Sequence, residues 1–304
     1  MSKKVFLIGH PVGHSISPIF QQAAFDYHGM DVTYQAIDVN PNQLQRAVDD
    51  LRKEDILGAN VTVPYKELII PMLDSGSDDV AAIGAVNTVV NTEGKLVGNN
   101  TDSEGFLKSI LRTINIDPAG KAILLLGAGG AARAVAVALA KRGASSIFIA
   151  NRDLDRAHRL VDTLRPIGNI SGAIGLSSSK LEAIAHSSDI IVNCTSIGMS
   201  GGPEPDLSPI EKKFIPKGST VIDLVYNPSI TPILRDAQDI GAQTLGGLTM
   251  LVYQGSISFK MWTGIEAPTD IMLEVAQKAL KPVSYTHLRA HETEADLVCR
   301  LLLE

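Results

Sequence analysis

The segment that most constrains the fold is a strand, a glycine-rich turn and a helix at residues 121–142. Residues 121–126 (KAILLL) are almost continuously apolar, which is typical of a strand buried on both faces of a parallel sheet. Residues 127–132 (GAGGAA) follow directly, and residues 131–142 form an alanine-rich helical segment. In a dinucleotide-binding turn, Gly127 would make the tight bend, Gly129 would admit a pyrophosphate, and Ala132 would permit close helix packing.

The free amides at the start of this helix would face the phosphates, where the helix dipole favours negative charge. The residues predicted to bind the dinucleotide here are Gly127, Ala128, Gly129, Gly130 and Ala131. The alternative is an ordinary tight turn between a strand and a helix.

The rest of the chain alternates short apolar runs with amphipathic segments, which is typical of α/β folds. We predict two α/β domains with a cleft between them. Residues 1–108 plus 246–280 would form an N-terminal substrate domain, and residues 109–245 a Rossmann-like NAD(P) domain with a parallel sheet. Pro64 is expected at the first turn of a short helix. Residues 281–304 are treated as a tail of uncertain native origin, and its His287 and His291 have no third ligand, so no metal is predicted.

The composition restricts the class of partner. The 304 residues include 27 basic and 33 acidic side chains, and the net charge of −6 argues against nucleic acid or an anionic membrane. A small-molecule substrate is expected, and a homodimer stays open. Cys194 and Cys299 are far apart, which favours a reducing compartment, and no run is apolar enough to span a bilayer, so the expected location is cytoplasmic.

The strand after the glycine turn bears on the choice of cofactor. It ends in Asn151, Arg152 and Asp153, with Arg156 one turn later. Two guanidinium groups suit the 2′-phosphate of NADP, whereas the Asp153 carboxylate would repel that phosphate. NADP is therefore favoured, and NAD stays open. The alternative is that both arginines are solvated helix residues.

Four polar segments follow predicted strands in the N-terminal domain: residues 14–18, 60–66, 85–88 and 99–102. Ligands of open α/β sheets bind beyond the carboxyl ends of strands, so these segments could converge on one pocket. Each also has an ordinary structural explanation. Ser17 and Asp102 could cap helices, and Lys66 could be a surface lysine.

Taken together, these motifs resemble the shikimate dehydrogenase family over residues 4–280. They occur in the order GHPVGHSISP, GANVTVPYK, GAVNT, NNTD, GAGGAAR, NR, DLVYNP and GGLTMLVYQG. The resemblance implies reversible NADPH-dependent reduction of 3-dehydroshikimate to shikimate, a step of chorismate and aromatic amino-acid biosynthesis. It further implies that Lys66 and Asp102 are the catalytic pair and that Ser15 and Ser17 bind the substrate carboxylate.

The same resemblance assigns the remaining site residues. Ring hydroxyls or the reacting carbonyl would be bound by Asn60, Thr62, Asn87 and Gln254 together with Asp102, and Tyr226 would line the pocket. The nicotinamide and its ribose would be lined by Thr195, Leu224, Gly247 and Met250.

The residue types at the catalytic pair suit this chemistry. A protonated Lys66 can stabilise the alkoxide that develops at the reduced carbon and can give it a proton. The alternatives are a quinate or dual quinate/shikimate dehydrogenase using NAD(P), and a non-catalytic nucleotide-binding relative. The presence of both Lys66 and Asp102 argues against the non-catalytic relative.

Overall fold

The computed structural model of the protein describes residues 2–281. The predicted tail beyond Lys281, with His287, His291 and Cys299, lies outside the described residues. Within them, no helix is both long and apolar enough to cross a membrane.

The first sheet has six strands in the order β2-β1-β3-β5-β6-β4. Its elements in chain order are β1 (Lys3–Gly9), α1 (Ser17–Tyr27), β2 (Val32–Asp38), α2 (Leu44–Asp50), β3 (Ile56–Val61), β4 (Ser75–Gly76), α3 (Asp78–Ile83), β5 (Thr88–Thr92), β6 (Lys95–Asn99) and α4 (Asp102–Thr113). The first three strands are parallel, whereas β5 runs antiparallel to both β3 and β6. The carboxyl end of β3 therefore lies beside the start of β5 and the end of β6.

The second sheet also has six strands, all parallel, in the order β12-β11-β10-β7-β8-β9. Its elements are β7 (Ala122–Leu126), α5 (Gly130–Lys141), β8 (Ser146–Asn151), α6 (Leu154–Leu164), β9 (Ile170–Gly175), α7 (Leu181–His186), β10 (Ile190–Asn193), β11 (Thr220–Asp223), α8 (Pro232–Asp239) and β12 (Gln243–Leu245). This is the doubly wound order of dinucleotide-binding folds, with its switch point between β7 and β10. The predicted α/β class with a Rossmann-like parallel sheet is confirmed.

Within residues 2–281, the last two helices are α9 (Leu248–Thr263) and α10 (Thr269–Leu280). Helix α9 packs against α4, and α10 packs against α1. At the crossing of α4 and α9, a Cβ on Gly105 would lie 2.7 Å from the backbone nitrogen of Gln254. Only glycine allows this close approach, which places Gln254 beside the first turn of α4.

One local prediction is wrong. Residues 62–69 form turns rather than a helix beginning at Pro64, and a 3₁₀-helix follows at Ile70–Met72. The physical reason is Tyr65, whose side chain is fully buried and donates a hydrogen bond to the carbonyl of Val39. That anchor draws the chain towards the core and leaves the next residue, Lys66, facing the cleft.

Candidate active site

Lys66 and Asp102 meet between the first sheet and the second domain. Asp102 is the first residue of α4, and the Nζ of Lys66 donates a hydrogen bond to its Oδ2. The exposed fractions of the two side chains are only 16% and 6%. The pair is thus a largely desolvated ammonium and carboxylate, in contrast to the surface lysine that was the alternative.

Asn87 holds the carboxylate of Asp102 in place. Its Nδ2 donates to Asp102 Oδ1 at 2.8 Å, and its Oδ1 accepts from the backbone nitrogen of Thr101 at 2.8 Å. The same Nδ2 lies 3.2 Å from Oε1 of Gln254, which comes from α9. With Lys66 on the other oxygen, both carboxylate oxygens of Asp102 have partners, so the orientation of the group is fixed.

Asn60 is placed differently from the other predicted substrate ligands. It is buried at the end of β3, and its Oδ1 accepts from the hydroxyl of Tyr34 at 2.8 Å. Its Nδ2 lies 3.1 Å from the carbonyl oxygen of Asn87 and 3.1 Å from Oγ of Ser258. The amide thus has protein partners at both ends, and its contact with a substrate stays a prediction.

The serine loop lies between β1 and α1. Ser15 is half-buried, and its Oγ accepts from the backbone nitrogen of Ser17 at 3.2 Å. The hydroxyl of Tyr226, which follows β11, faces Ser15, and burial raises the pKa of this tyrosine. Thr62 lies half-buried just after β3. The loop therefore joins side chains from the first sheet to one from the second domain.

The glycine turn leaves the end of β7 at the switch point of the second sheet. Gly127 has a φ of 108°, which only glycine adopts readily, and a Cβ there would lie 3.2 Å from Cγ2 of Thr195. A Cβ on Gly129 would meet no heavy atom within 4 Å, so its backbone faces open space. No side chain caps the start of α5. Its first amides therefore keep their hydrogen-bonding capacity.

The same turn touches the catalytic pair. A Cβ on Gly130 would lie 3.3 Å from Cβ of Lys66 and 3.4 Å from its Cδ. The backbone at the start of α5 therefore packs against the aliphatic stem of the lysine. This contact places the predicted dinucleotide site and the Lys66–Asp102 pair side by side.

The ends of β10 and β11 form the floor of the cleft. Oδ1 of Asn193 accepts from the backbone nitrogen and hydroxyl of Thr195 at 3.0 and 2.7 Å. Nδ2 of Asn193 donates to Oδ1 of Asp223 at 2.9 Å. Of the predicted nicotinamide-lining residues, Leu224 follows β11, whereas Gly247 and Met250 lie at the start of α9. Gly247 packs closely against the carbonyl of Leu224.

The polar side chains after β8 bond to nearby backbone groups and to Glu67. Nδ2 of Asn151 donates to the carbonyl of Asp153 at 2.8 Å, and Oδ1 of Asp153 accepts from the backbone nitrogen of Arg156 at 3.0 Å. Asp153 is thus the N-cap of α6. Nε of Arg156 donates to the carbonyl of Ala128 at 3.0 Å, and its Nη2 donates to Glu67 at 2.9 Å. Arg152 is exposed.

Several residues of the site were not predicted. Thr101 lies inside the NNTD segment, and Ser258 is one helical turn after Gln254, so both carried a signal in the sequence. Nothing in the sequence marks Tyr34 or Glu67 as a site residue. The contact of Tyr34 with Asn60 depends on strand order, and that of Glu67 with Arg156 depends on how the two domains meet.

Comparisons with known proteins agree with this geometry. Three family profiles match the chain: "Shikimate dehydrogenase substrate binding domain" at residues 7–89, "Shikimate / quinate 5-dehydrogenase" at 109–246, and "Shikimate 5'-dehydrogenase C-terminal domain" at 247–277. A shikimate dehydrogenase (NADP(+)) from Methanopyrus kandleri is 43% identical over 279 residues, which are 91% of this chain and 96% of that protein.

The chain belongs to the shikimate dehydrogenase family.

Solved structures of the family have the same fold. A shikimate dehydrogenase in complex with NADP+ has a TM-score of 0.84 at 37% identity, covering 92% of this chain and 96% of that one. The enzyme from Thermus thermophilus, in complex with NADP(H) and shikimate, has a TM-score of 0.82 at 36% identity, covering 91% of this chain and 100% of that one. The predicted family membership of this chain is confirmed.

Proposed function

We propose that this chain is an NADP-dependent shikimate dehydrogenase that reversibly reduces 3-dehydroshikimate to shikimate. The observation that carries the proposal is the buried Lys66–Asp102 pair packed directly against the start of α5. An ammonium that can donate a proton thereby lies next to a dinucleotide-binding turn. The names of the relatives and the ligands of the solved structures support the same activity.

The residues present fit NADP. The backbone at Gly129 faces open space, and α5 starts without a side-chain cap, so the turn can accept a pyrophosphate. Asp153 caps α6, so its carboxylate is committed to a backbone amide. Arg152 and Arg156 are within four residues of each other at the end of β8, where a 2′-phosphate would be expected.

The acid–base chemistry follows from the hydrogen bonds. When bound, NADPH supplies the hydride that reduces the ketone. Lys66 donates a proton to the oxygen of that ketone and stabilises the charge that develops there. Asp102 holds the ammonium, and Asn87 holds Asp102, so the donor is positioned before the substrate arrives.

Substrate recognition is assigned to the wall of the first domain. Ser15 and Ser17 would bind the carboxylate, with Tyr226 closing that end of the pocket. Thr62, Asn87 and Gln254 would bind ring hydroxyls, and Asn60 would act through the same network. The proposed domains are residues 1–108 plus 246–280 and residues 109–245, supported by the division of the strands between two sheets.

The test is Lys66→Met, with Lys108→Met as the matched control. Lys108 forms an exposed pair with Glu104 at 2.8 Å, so the same substitution there removes a lysine without reaching the cleft. We expect turnover of Lys66→Met to fall by about 10²–10⁴-fold, the usual contribution of a positioned acid–base group. Shikimate affinity should stay nearly unchanged. Turnover that survives in Lys66→Met would contradict the assigned role.

The preference for substrate and cofactor is tested by comparing shikimate and quinate, each with NADP and NAD. Quinate carries an additional hydroxyl on the carbon that bears the carboxylate, so the pocket around Ser15 and Ser17 decides whether it enters. We expect shikimate with NADP to be the best pair. A strong preference for quinate with NAD would contradict the proposal.

A cytoplasmic location is also proposed, on the basis of the two widely spaced cysteines.

A further inference from the structure

An acidic side chain from a distant loop lies against Arg152. Oε2 of Glu204 accepts a hydrogen bond from Nη1 of Arg152 at 3.1 Å, across 52 residues of sequence. Glu204 belongs to the loop between β10 and β11, and its backbone carbonyl accepts from the nitrogen of Gly198 at 2.9 Å. The backbone bond holds the acidic residue in place.

The two side chains line one cavity. It has a volume of about 420 Å³, and its apolar walls are Leu176, Ile197, Leu207 and Pro209. A cavity of this size is within the range of small-molecule sites. Because the guanidinium and the carboxylate line the same space, a ligand group that reaches Arg152 also meets Glu204.

Two charged neighbours of Arg152 after β8, Asp153 and Arg156, are already engaged. Asp153 caps α6, and Arg156 contacts Glu67 and the carbonyl of Ala128. Within residues 2–281, the polar partner of the Arg152 guanidinium is Glu204. The acid that bears most directly on the charge of Arg152 is therefore Glu204 and not Asp153.

We propose that Glu204 lowers the preference of this chain for NADPH over NADH by pairing with Arg152. This inference rests on the proposed function, in which Arg152 receives the 2′-phosphate. A phosphate must either displace the carboxylate of Glu204 or bind beside it and be repelled by it. The neutral 2′-hydroxyl of NADH meets neither obstacle. Glu204 therefore acts as a specificity-determining residue through a repulsive contact.

The experiment titrates NADPH and NADH into the full chain and follows nicotinamide fluorescence, with Glu204→Gln beside the wild type. The amide keeps the shape of the side chain and removes its charge. We expect the Kd of NADPH to fall about three- to fivefold, the upper part of the range for an exposed ion pair. The Kd of NADH should change by less than about twofold, because no phosphate is present.

Two further variants make the test specific. Asp206→Asn removes an equal charge from an exposed residue of the same loop and should leave both dissociation constants unchanged. In an Arg152→Ala background, the effect of Glu204→Gln on NADPH should disappear, because the coupled partner is gone. Equal changes for both cofactors, no change, the same effect from Asp206→Asn, or an effect that persists without Arg152 would each overturn the proposal.

The titration separates this inference from the proposed function. A wild type that binds NADPH but oxidises no shikimate refutes the proposed function, and the two dissociation constants still decide the role of Glu204. A wild type that binds neither cofactor overturns both.

Discussion

Asp223 provides a pH-dependent test of how the cleft floor is built. It ends β11, is fully buried, and accepts hydrogen bonds from the side chain of Asn193, the backbone of Val225 and the hydroxyl of Thr231 at 2.9, 2.9 and 2.6 Å. Burial raises the pKa of Asp223 from its ordinary 3.8 to about 6, because desolvation outweighs these three bonds. The substitution Asp223→Asn replaces this carboxyl group with an amide that cannot ionise.

The pH dependence of the free energy of unfolding follows from the difference between the folded and unfolded pKa values of Asp223. The folded state holds the proton of Asp223 more strongly than the unfolded state, so this group stabilises the fold below pH 3.8 and loses that contribution as the pH rises through about 6. A difference of about two between the folded and unfolded pKa values corresponds to about 3 kcal/mol. The free energy of unfolding of the wild type should therefore fall relative to that of Asp223→Asn by about 2 kcal/mol between pH 4 and pH 7, because the rest of the change lies below pH 4.

Urea unfolding followed by circular dichroism at half-unit pH steps measures this difference. Asp117→Asn is the control, since Asp117 is exposed and its pairing with Arg142 lowers its pKa. Relative to Asp117→Asn, the free energy of unfolding of the wild type should therefore rise slightly, not fall, between pH 4 and pH 7. Free energies of unfolding that change in parallel for the wild type and Asp223→Asn from pH 4 to pH 7 would contradict the raised pKa of Asp223.

Three other changes have defined outcomes. Gly129→Ala should keep the melting temperature, because a Cβ there meets no heavy atom within 4 Å, yet should raise the Kd of NADPH at least about tenfold by filling the approach to the pyrophosphate; calorimetry measures both, and an unchanged Kd contradicts the fit. Asn87→Ala should lower shikimate turnover by about a hundredfold, since Asp102 loses its 2.8 Å donor; steady-state kinetics near wild-type values would count against the network. Tyr34→Phe should lower the free energy of unfolding by about 1–3 kcal/mol, because Oδ1 of Asn60 loses its donor; equal stability in urea would show that the bond contributes nothing.

The second domain could be predicted largely from local patterns. Strand β7 was predicted at residues 121–126 and is observed at Ala122–Leu126. Strands β8, β10 and β11 are likewise short and mostly apolar. The glycine turn was recognised because a buried strand and an alanine-rich helix flank it. By contrast, β9 (ISGAIG) and the short edge strand β12 were missed, since neither has a long apolar run.

The contacts between distant segments could not be predicted without strand order. Four polar segments were expected to converge, and the structure joins Lys66, Asn87 and Asp102 from three of them. The acidic partners of the two arginines could not be predicted at all. Glu67 contacts Arg156 across the cleft, and Glu204 contacts Arg152 from the loop between β10 and β11. No spacing in the sequence indicates either contact. The repulsion assigned to Asp153 assumed an unengaged carboxylate, whereas this one caps a helix.

The most direct measurement of the central claim is a crystal structure of the chain with shikimate and NADP bound together. We predict that Nζ of Lys66 lies within about 3.2 Å of the hydroxyl oxygen that becomes the ketone, while still hydrogen-bonded to Asp102. A bound acid with the amine of Lys66 turned away into solvent would contradict it.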